Sequence, residues 1–190
     1  MEPIRVTACL DYFTPPQLVE WKVTQGRAVA NKIMRDAGKH GSRIDDIIKR
    51  GAVPDKKDKP EVHMCYLAWT KWKAIYNPDQ VVAQTRLYGK IGKWEVTGEP
   101  DLMINLDLVD VKATNAIRKK NLIQVNIYEE LRRQNGLPPA ESLRILRLDR
   151  TTGSFEYTNP EAFDPSFVVM FSGLLDAMMY YKENDDDTEL

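Results

Sequence analysis

Three residues carry the chemistry most sharply: Asp101, Asp110 and Lys112, within the stretch Gly98 to Lys112, G-E-P-D-L-M-I-N-L-D-L-V-D-V-K. Strands at Asp101 to Ile104 and Asp107 to Lys112, turning at Asn105-Leu106, place Asp101 opposite Asp110. Directly opposed side chains of a hairpin lie roughly 4.5 to 5.5 Å apart at Cβ, and like charges there repel. Lys112, two residues beyond Asp110, falls on the same face. Leu108 shares that face, and Val109, Val111 and Ala113 occupy the other, so both sides read as partly buried. Ionised groups are costly in such surroundings unless paired, hydrogen-bonded or bound to a metal. Two carboxylates beside one lysine therefore read as a site for a hard divalent cation, which takes oxygen ligands from one or two carboxylates and leaves the rest to water or phosphate. An inert ion-paired hairpin is the competing account.

The rest of the chain narrows the alternatives. Its only histidines are His40 and His63, and it has no G-x-S-x-G, so a nucleophilic triad has no basis. Cys9 and Cys65 form no C-x-x-C pair, and His63 with Cys65 is too small a set for zinc. The G-x-x-G-K at Gly89 to Lys93 lacks the spacer and hydroxyl of a phosphate loop. What remains is hydrolysis assisted by a metal.

The elements that must hold these residues follow from spacing. With 190 residues, 43% hydrophobic and 29% charged, the chain reads as one globular domain over residues 1 to 182, with an acidic, disordered tail at 183 to 190. Thr14 caps a helix whose first turn takes Pro15 and Pro16, and Leu18 and Trp21 begin its apolar stripe. The stripe continues through Val29, Ile33, Ala37, Ile44 and Ile48, broken at Gly38 and Gly41-Ser42, where a new helix is expected with Ser42 as its cap. Asp45 and Asp46 would then suit the positive end of that helix dipole.

Glu61 to Tyr76 reads as a helix whose Trp69, Trp72 and Tyr76 form a buried stripe rather than a base-stacking surface. Strands are expected at Val81 to Tyr88 and Lys93 to Thr97 around a turn at Gly89 to Gly92, then at Leu143 to Leu148 and Ser154 to Tyr157. Lys119 to Gln134 is a helix with Ile123, Ile127 and Leu131 in one row and Gln124 and Tyr128 stacked on the next. Phe167 to Tyr181 is a docking helix.

A formal net charge of -1 gives no global basic footprint, so a polyanion would be held by local patches such as Lys56-Lys57, Arg118-Lys119-Lys120 or Arg132-Arg133, or by bound metal. The N-terminus shows no basic region followed by an apolar run and no stretch approaches 18 apolar residues, so a cytosolic protein is expected, in a host's cytosol if it is viral, without a membrane partner.

In order along the chain, Gly41-Ser42-Arg43-Ile44-Asp45, Gly98-Glu99-Pro100-Asp101, Asp110-Val111-Lys112 and Gln124 to Tyr128 resemble the motifs of the PD-(D/E)XK nuclease superfamily, in its RecB-like and phage-exonuclease branch. Asp45 stands where that branch more often has His or Glu. The opening, with Tyr12, Phe13, Pro15, Leu18, Trp21 and Lys22, is similar to that of phage-type exonucleases. The resemblance implies an α/β fold with a restriction-endonuclease-like core, a mixed sheet flanked by helices. It implies Mg²⁺ or Mn²⁺ held by Asp45, Asp101, Asp110 and the Val111 carbonyl, Lys112 positioning the attacking water, and Gln124 with Tyr128 steadying the phosphate or the lysine. DNA would be the substrate, met also by Ser42, Arg43, Thr114 and Lys120. Some relatives carry an iron-sulfur cluster, for which this chain lacks the four cysteines. A homo-oligomer or a recombination partner protein is compatible with the resemblance, and a fold-sharing module that binds nucleic acid without cutting it, or a nucleotide phosphohydrolase, stays open.

Overall fold

The expected central hairpin forms in the expected register. The computed structural model describes residues 2–13 and 16–184. In it β5 (Leu102–Ile104) pairs antiparallel with β6 (Asp107–Lys112), Leu102 opposite Val109 and Ile104 opposite Asp107. Asn105 turns the chain from the left-handed region at φ 54°, a conformation that asparagine tolerates better than most side chains. β6 also runs parallel to β7 (Ser142–Leu148), so it lies inside a sheet and is buried on both faces. β2 (Val81–Ala83) and β8 (Phe155–Tyr157) complete the order β2-β5-β6-β7-β8. A second sheet, β1-β4-β3, joins β1 (Ile4–Arg5), β4 (Trp94–Gly98) and β3 (Leu87–Ile91). Both sheets mix parallel and antiparallel pairs and are flanked by helices, an α/β architecture.

Period-2 alternation along β6 divides the interior. Leu108 packs on one side with Leu143, with Ile123, Ile127 and Leu131 of α5 (Lys119–Gln134), and with Phe171 and Leu175 of α6 (Ser166–Asn184). Val109 packs on the other with Leu102, Leu146 and Leu148, under Ile44 and Ile47 of α3 (Arg27–Arg50) and the indoles of α4 (Pro60–Tyr76). Trp69 and Trp72 stack at 5.0 Å and are buried, which makes the aromatic stripe core. Tyr76 stacks on Trp72 at 5.7 Å with half its surface exposed. The remaining helices are α1 (Val6–Tyr12) and α2 (Pro16–Gln25).

Several expectations are corrected. No break occurs at Gly38 or Gly41: α3 runs unbroken for 24 residues. Ser42 is inside it, its hydroxyl donating to the Gly38 carbonyl at 3.3 Å, the i−4 back-bond that lets a serine stay within a helix. Ser42 is therefore no cap, and Asp45 and Asp46 lie near the negative end of the helix, where Lys49 and Arg50 pair with them at 3.2 and 3.4 Å. The apolar row is right for Ile44 and Ile48 but not for Val29 and Ile33, which are exposed while Ala30 is buried.

The expected strand from Val81 to Tyr88 is two strands in different sheets, and the turn between β3 and β4 is at Gly92-Lys93, since Ile91 faces Trp94. The Arg132-Arg133 patch is half core: Arg132 is buried against Glu129. Thr14, Pro15 and the side chains of Leu18 and Ala37 lie outside the described residues, as does the tail from 185; α6 extends to Asn184, past the expected boundary at 182.

Candidate active site

Where β4 leaves the small sheet and β5 begins the large one, Gly98 to Asp101 bring the two sheets together over the C-terminal end of β6. A cleft of about 290 Å³ opens there, lined among others by Asp45, Lys49, Glu99, Asp101, Lys112 and Tyr128. Five of the six residues expected to act by their side chains line it; the sixth, Asp110, does not, being buried against Lys112 with 1% exposure.

Asp110 has little choice of partner. It points to the α5 side of β6, shared with Leu108, where burial pushes its carboxyl up to about 7 against the pull of Lys112, with Asp101 adding to the rise. Lys112 Nζ lies 2.9 Å from its Oδ1 and 2.7 Å from its Oδ2. Oδ2 is buried without a hydrogen bond. For Lys112 itself burial opposes the charge, but Asp110 and Asp101 outweigh it and hold the ammonium above its ordinary range.

Asp101 is fixed from the other side. The Val111 N–H donates to its Oδ2 at 2.8 Å, and Lys49 stands 3.4 Å from its Oδ1. Asp101 thus precedes β5 rather than belonging to it, yet the hairpin still sets it against Asp110. Asp45 reaches the cleft from α3 and is tied to Asp101 through Lys49, which touches both. Burial raises the Asp45 carboxyl, Lys49 opposing it.

The α5 pair forms as its spacing requires. Gln124 Nε2 donates to Tyr128 Oη at 2.8 Å and both are buried. Burial first, then the charge of Asp110, raises the Tyr128 hydroxyl well above its ordinary value, so the phenol keeps its proton. Gly98 makes room for the ring: a Cβ there would lie 2.6 Å from Tyr128 Cε1.

The residues expected to meet DNA are not gathered with these. Arg43 grips Asp58 through Nε at 3.0 and 3.1 Å and the Val53 carbonyl at 2.9 Å, tying down the loop after α3. Ser42 is exposed on α3, Thr114 bonds the Ala116 carbonyl at 2.9 Å, and Lys120 pairs with Asp11 at 2.7 Å. Two residues that sequence reasoning missed are central: Lys49, signalled only by its i,i+4 spacing from Asp45, and Glu99, inside the quoted G-E-P-D.

The donor set can be tested against a hard cation. No group of three or more His, Cys, Asp or Glu spaced to hold a metal ion occurs among the described residues. Two carboxylates do meet, however, and the buried Oδ2 of Asp110 has the Lys112 ammonium at 2.7 Å against it but no well-formed hydrogen bond. The residues therefore fit a two-carboxylate site for Mg²⁺ or Mn²⁺, the kind completed by water and substrate oxygens. Asp45 joins it only through Lys49.

No protein-family model matches the chain, and no curated protein matches it. Among solved structures it is similar to one titled "Crystal structure of SSO0001", at 12% identity and a TM-score of 0.49, covering 95% of this chain and 76% of that one. A likeness of that degree carries no argument about this chain. No helix among the described residues is long and apolar enough to cross a membrane.

Proposed function

We propose that this protein is a metal-dependent DNA nuclease on a restriction-endonuclease-like core, an exonuclease rather than an endonuclease, serving recombination, repair or replication. One observation carries the reading: a fully buried aspartate with a lysine ammonium on it meets, at the end of a core hairpin, a second carboxylate that lines a cleft. Burying such a set without a ligand is costly. The exonuclease preference rests on the resemblance of the opening segment to phage-type exonucleases.

Asp101 and Asp110 would hold Mg²⁺ or Mn²⁺, with the Val111 carbonyl and Asp45 as further oxygens. When bound, the ion polarises a phosphoryl oxygen and makes water more acidic. Lys112 keeps its positive charge beside Asp110, placed to orient water and to offset charge developing on phosphate. Tyr128, protonated and held by Gln124, is a donor on the same side of the cleft.

Incubation with end-labelled DNA, single- and double-stranded, linear and circular, with and without Mg²⁺, tests the reading. Mg²⁺-dependent shortening of linear but not circular DNA is expected from an exonuclease. Full activity in purified Asp110→Asn or Lys112→Met would reject the assignment, and turnover of free nucleotides alone would replace it with a phosphohydrolase.

A further inference from the structure

A second lysine in the cleft has no place in the reading above. Lys49 Nζ lies 3.2 Å from Asp45, 3.4 Å from Glu99 and 3.4 Å from Asp101, with its side chain 12% exposed. Three carboxylates share one ammonium, and Asp101 is also an acid assigned to the metal. Arg86 takes the other oxygen of Glu99 at 3.2 Å. Of the cations around the cleft, Lys49 is thus the one in contact with both Asp45 and Asp101. A divalent ion seeking those oxygens meets the ammonium there, and like charges a few ångströms apart in a partly desolvated place repel strongly. One of the two must yield. A lysine, a point charge on a flexible four-carbon stem, is able to swing aside.

Resting on the metal-site reading, we propose that Lys49 is a built-in competitor of the divalent ion. It holds Asp45, Glu99 and Asp101 together while the site is unloaded, is displaced from Asp101 on loading, and so sets the ion concentration at which the site fills. Removing its charge leaves three acids in mutual repulsion that the ion then relieves, so the ion should bind more tightly.

The test is Mn²⁺ calorimetry without DNA on the wild type, Lys49→Met and Lys49→Arg. Lys49→Met should bind Mn²⁺ about tenfold more tightly, what the loss of one like charge a few ångströms away is worth in a partly desolvated place. Its unfolding midpoint should also rise more on Mn²⁺ addition than that of the wild type, while Lys49→Arg, which keeps the charge, should show no tightening. A measurement on the wild type stands independently of whether Lys49→Met folds. Acylation by an amine-reactive ester, read by mass spectrometry, should label Lys49 several-fold faster in Mn²⁺ than in chelator, with Lys73 as a reference that does not change. Equal or weaker Mn²⁺ binding by folded Lys49→Met, or Lys49 labelling that fails to rise, overturns the proposal. Mn²⁺ binding that is lost in Asp110→Asn but unmoved in Lys49→Met overturns the competitor and leaves the metal site standing. A wild type that binds no Mn²⁺ overturns both.

Discussion

Among the described residues charge is buried in two regions, and they solve the problem in opposite ways. On the last turns of α5, Glu129 is fully buried among bases: Arg133 Nε donates to its Oε1 at 2.9 Å, the Ala140 N–H to the same oxygen at 3.2 Å, and Arg132 faces its Oε2 at 3.4 Å. Arg132 is itself held by the Gln84 side chain at 2.6 Å and the Pro138 carbonyl at 3.0 Å. One acid is surrounded by two bases and sealed by protein. Around Asp110 the acids lie at the edge of a cleft, and lysines are shared among them. The first arrangement sets two bases on one acid; the second has more acid than base at the cleft, and under the proposed reading it improves when a cation arrives. Both are unfavourable to strip of a partner, so buried charge alone does not mark a site. Surplus acid beside accessible volume does.

The sharpest way to break this contrast is to neutralise one member of each region. Asp110→Asn should reduce Mg²⁺-dependent DNA cleavage by about a thousandfold, the scale of losing a preorganised charged group, with the far-ultraviolet circular dichroism unchanged. Glu129→Ala should instead lower stability by about 3–5 kcal/mol, read by urea denaturation, and leave Mn²⁺ affinity as it was. If Glu129→Ala weakened Mn²⁺ binding while stability held, the two regions would not be separable.

Gly98→Ala, which sets a methyl against Tyr128, should lower stability by about 1–3 kcal/mol, as overpacking does, and should also reduce cleavage. Stability in chelator should depend on pH through the cleft in the near-neutral range. Asp110 binds its proton more tightly folded than unfolded, so stability should fall as pH rises from about 4 to about 7. The raised Asp45 acts in the same direction, whereas the depressed Asp58, Asp149 and Asp164 stabilise at higher pH and lose their effect only in more acid solution. Asp110→Asn should flatten that decline; an unchanged urea-midpoint profile would contradict the burial of Asp110 as an acid. The smallest effect is expected of Arg43→Ala. Protease should cut the 51–59 loop more readily while DNA affinity stays constant, because the guanidinium is taken up by Asp58 and Val53.

Local periodicity made much of this legible. The hairpin register, the α5 row with Gln124 under Tyr128, and the buried indoles all follow from contacts between residues a few positions apart. What failed did so where local signals were overruled. Two glycines and a serine should end a helix, yet Ile44, Ile47 and Ile48 pack α3 into the core beyond them and Ser42 satisfies its hydroxyl internally, so the helix persists. That moved Asp45 from a helix start, where it would have been self-sufficient, to the helix end, where it depends on Lys49. The Arg132-Arg133 patch was likewise read from charge in sequence, which does not say that Arg132 is already bonded within the fold.

The sequence by itself determined the register of β5 on β6 and the side of the sheet on which Lys112 lies, because strand alternation and a two-residue turn fix both; Asp101, just before β5, is held against β6 by the Val111 N–H. Tertiary structure alone decided how buried Asp110 is, since that depends on β7 and α5 covering β6 from more than ten residues away. It also decided that Lys49 stands among Asp45, Glu99 and Asp101, three acids drawn from two distant segments. Burial and neighbouring charge are properties of packing, so the candidate residues could be named along the chain, and their electrostatics could not.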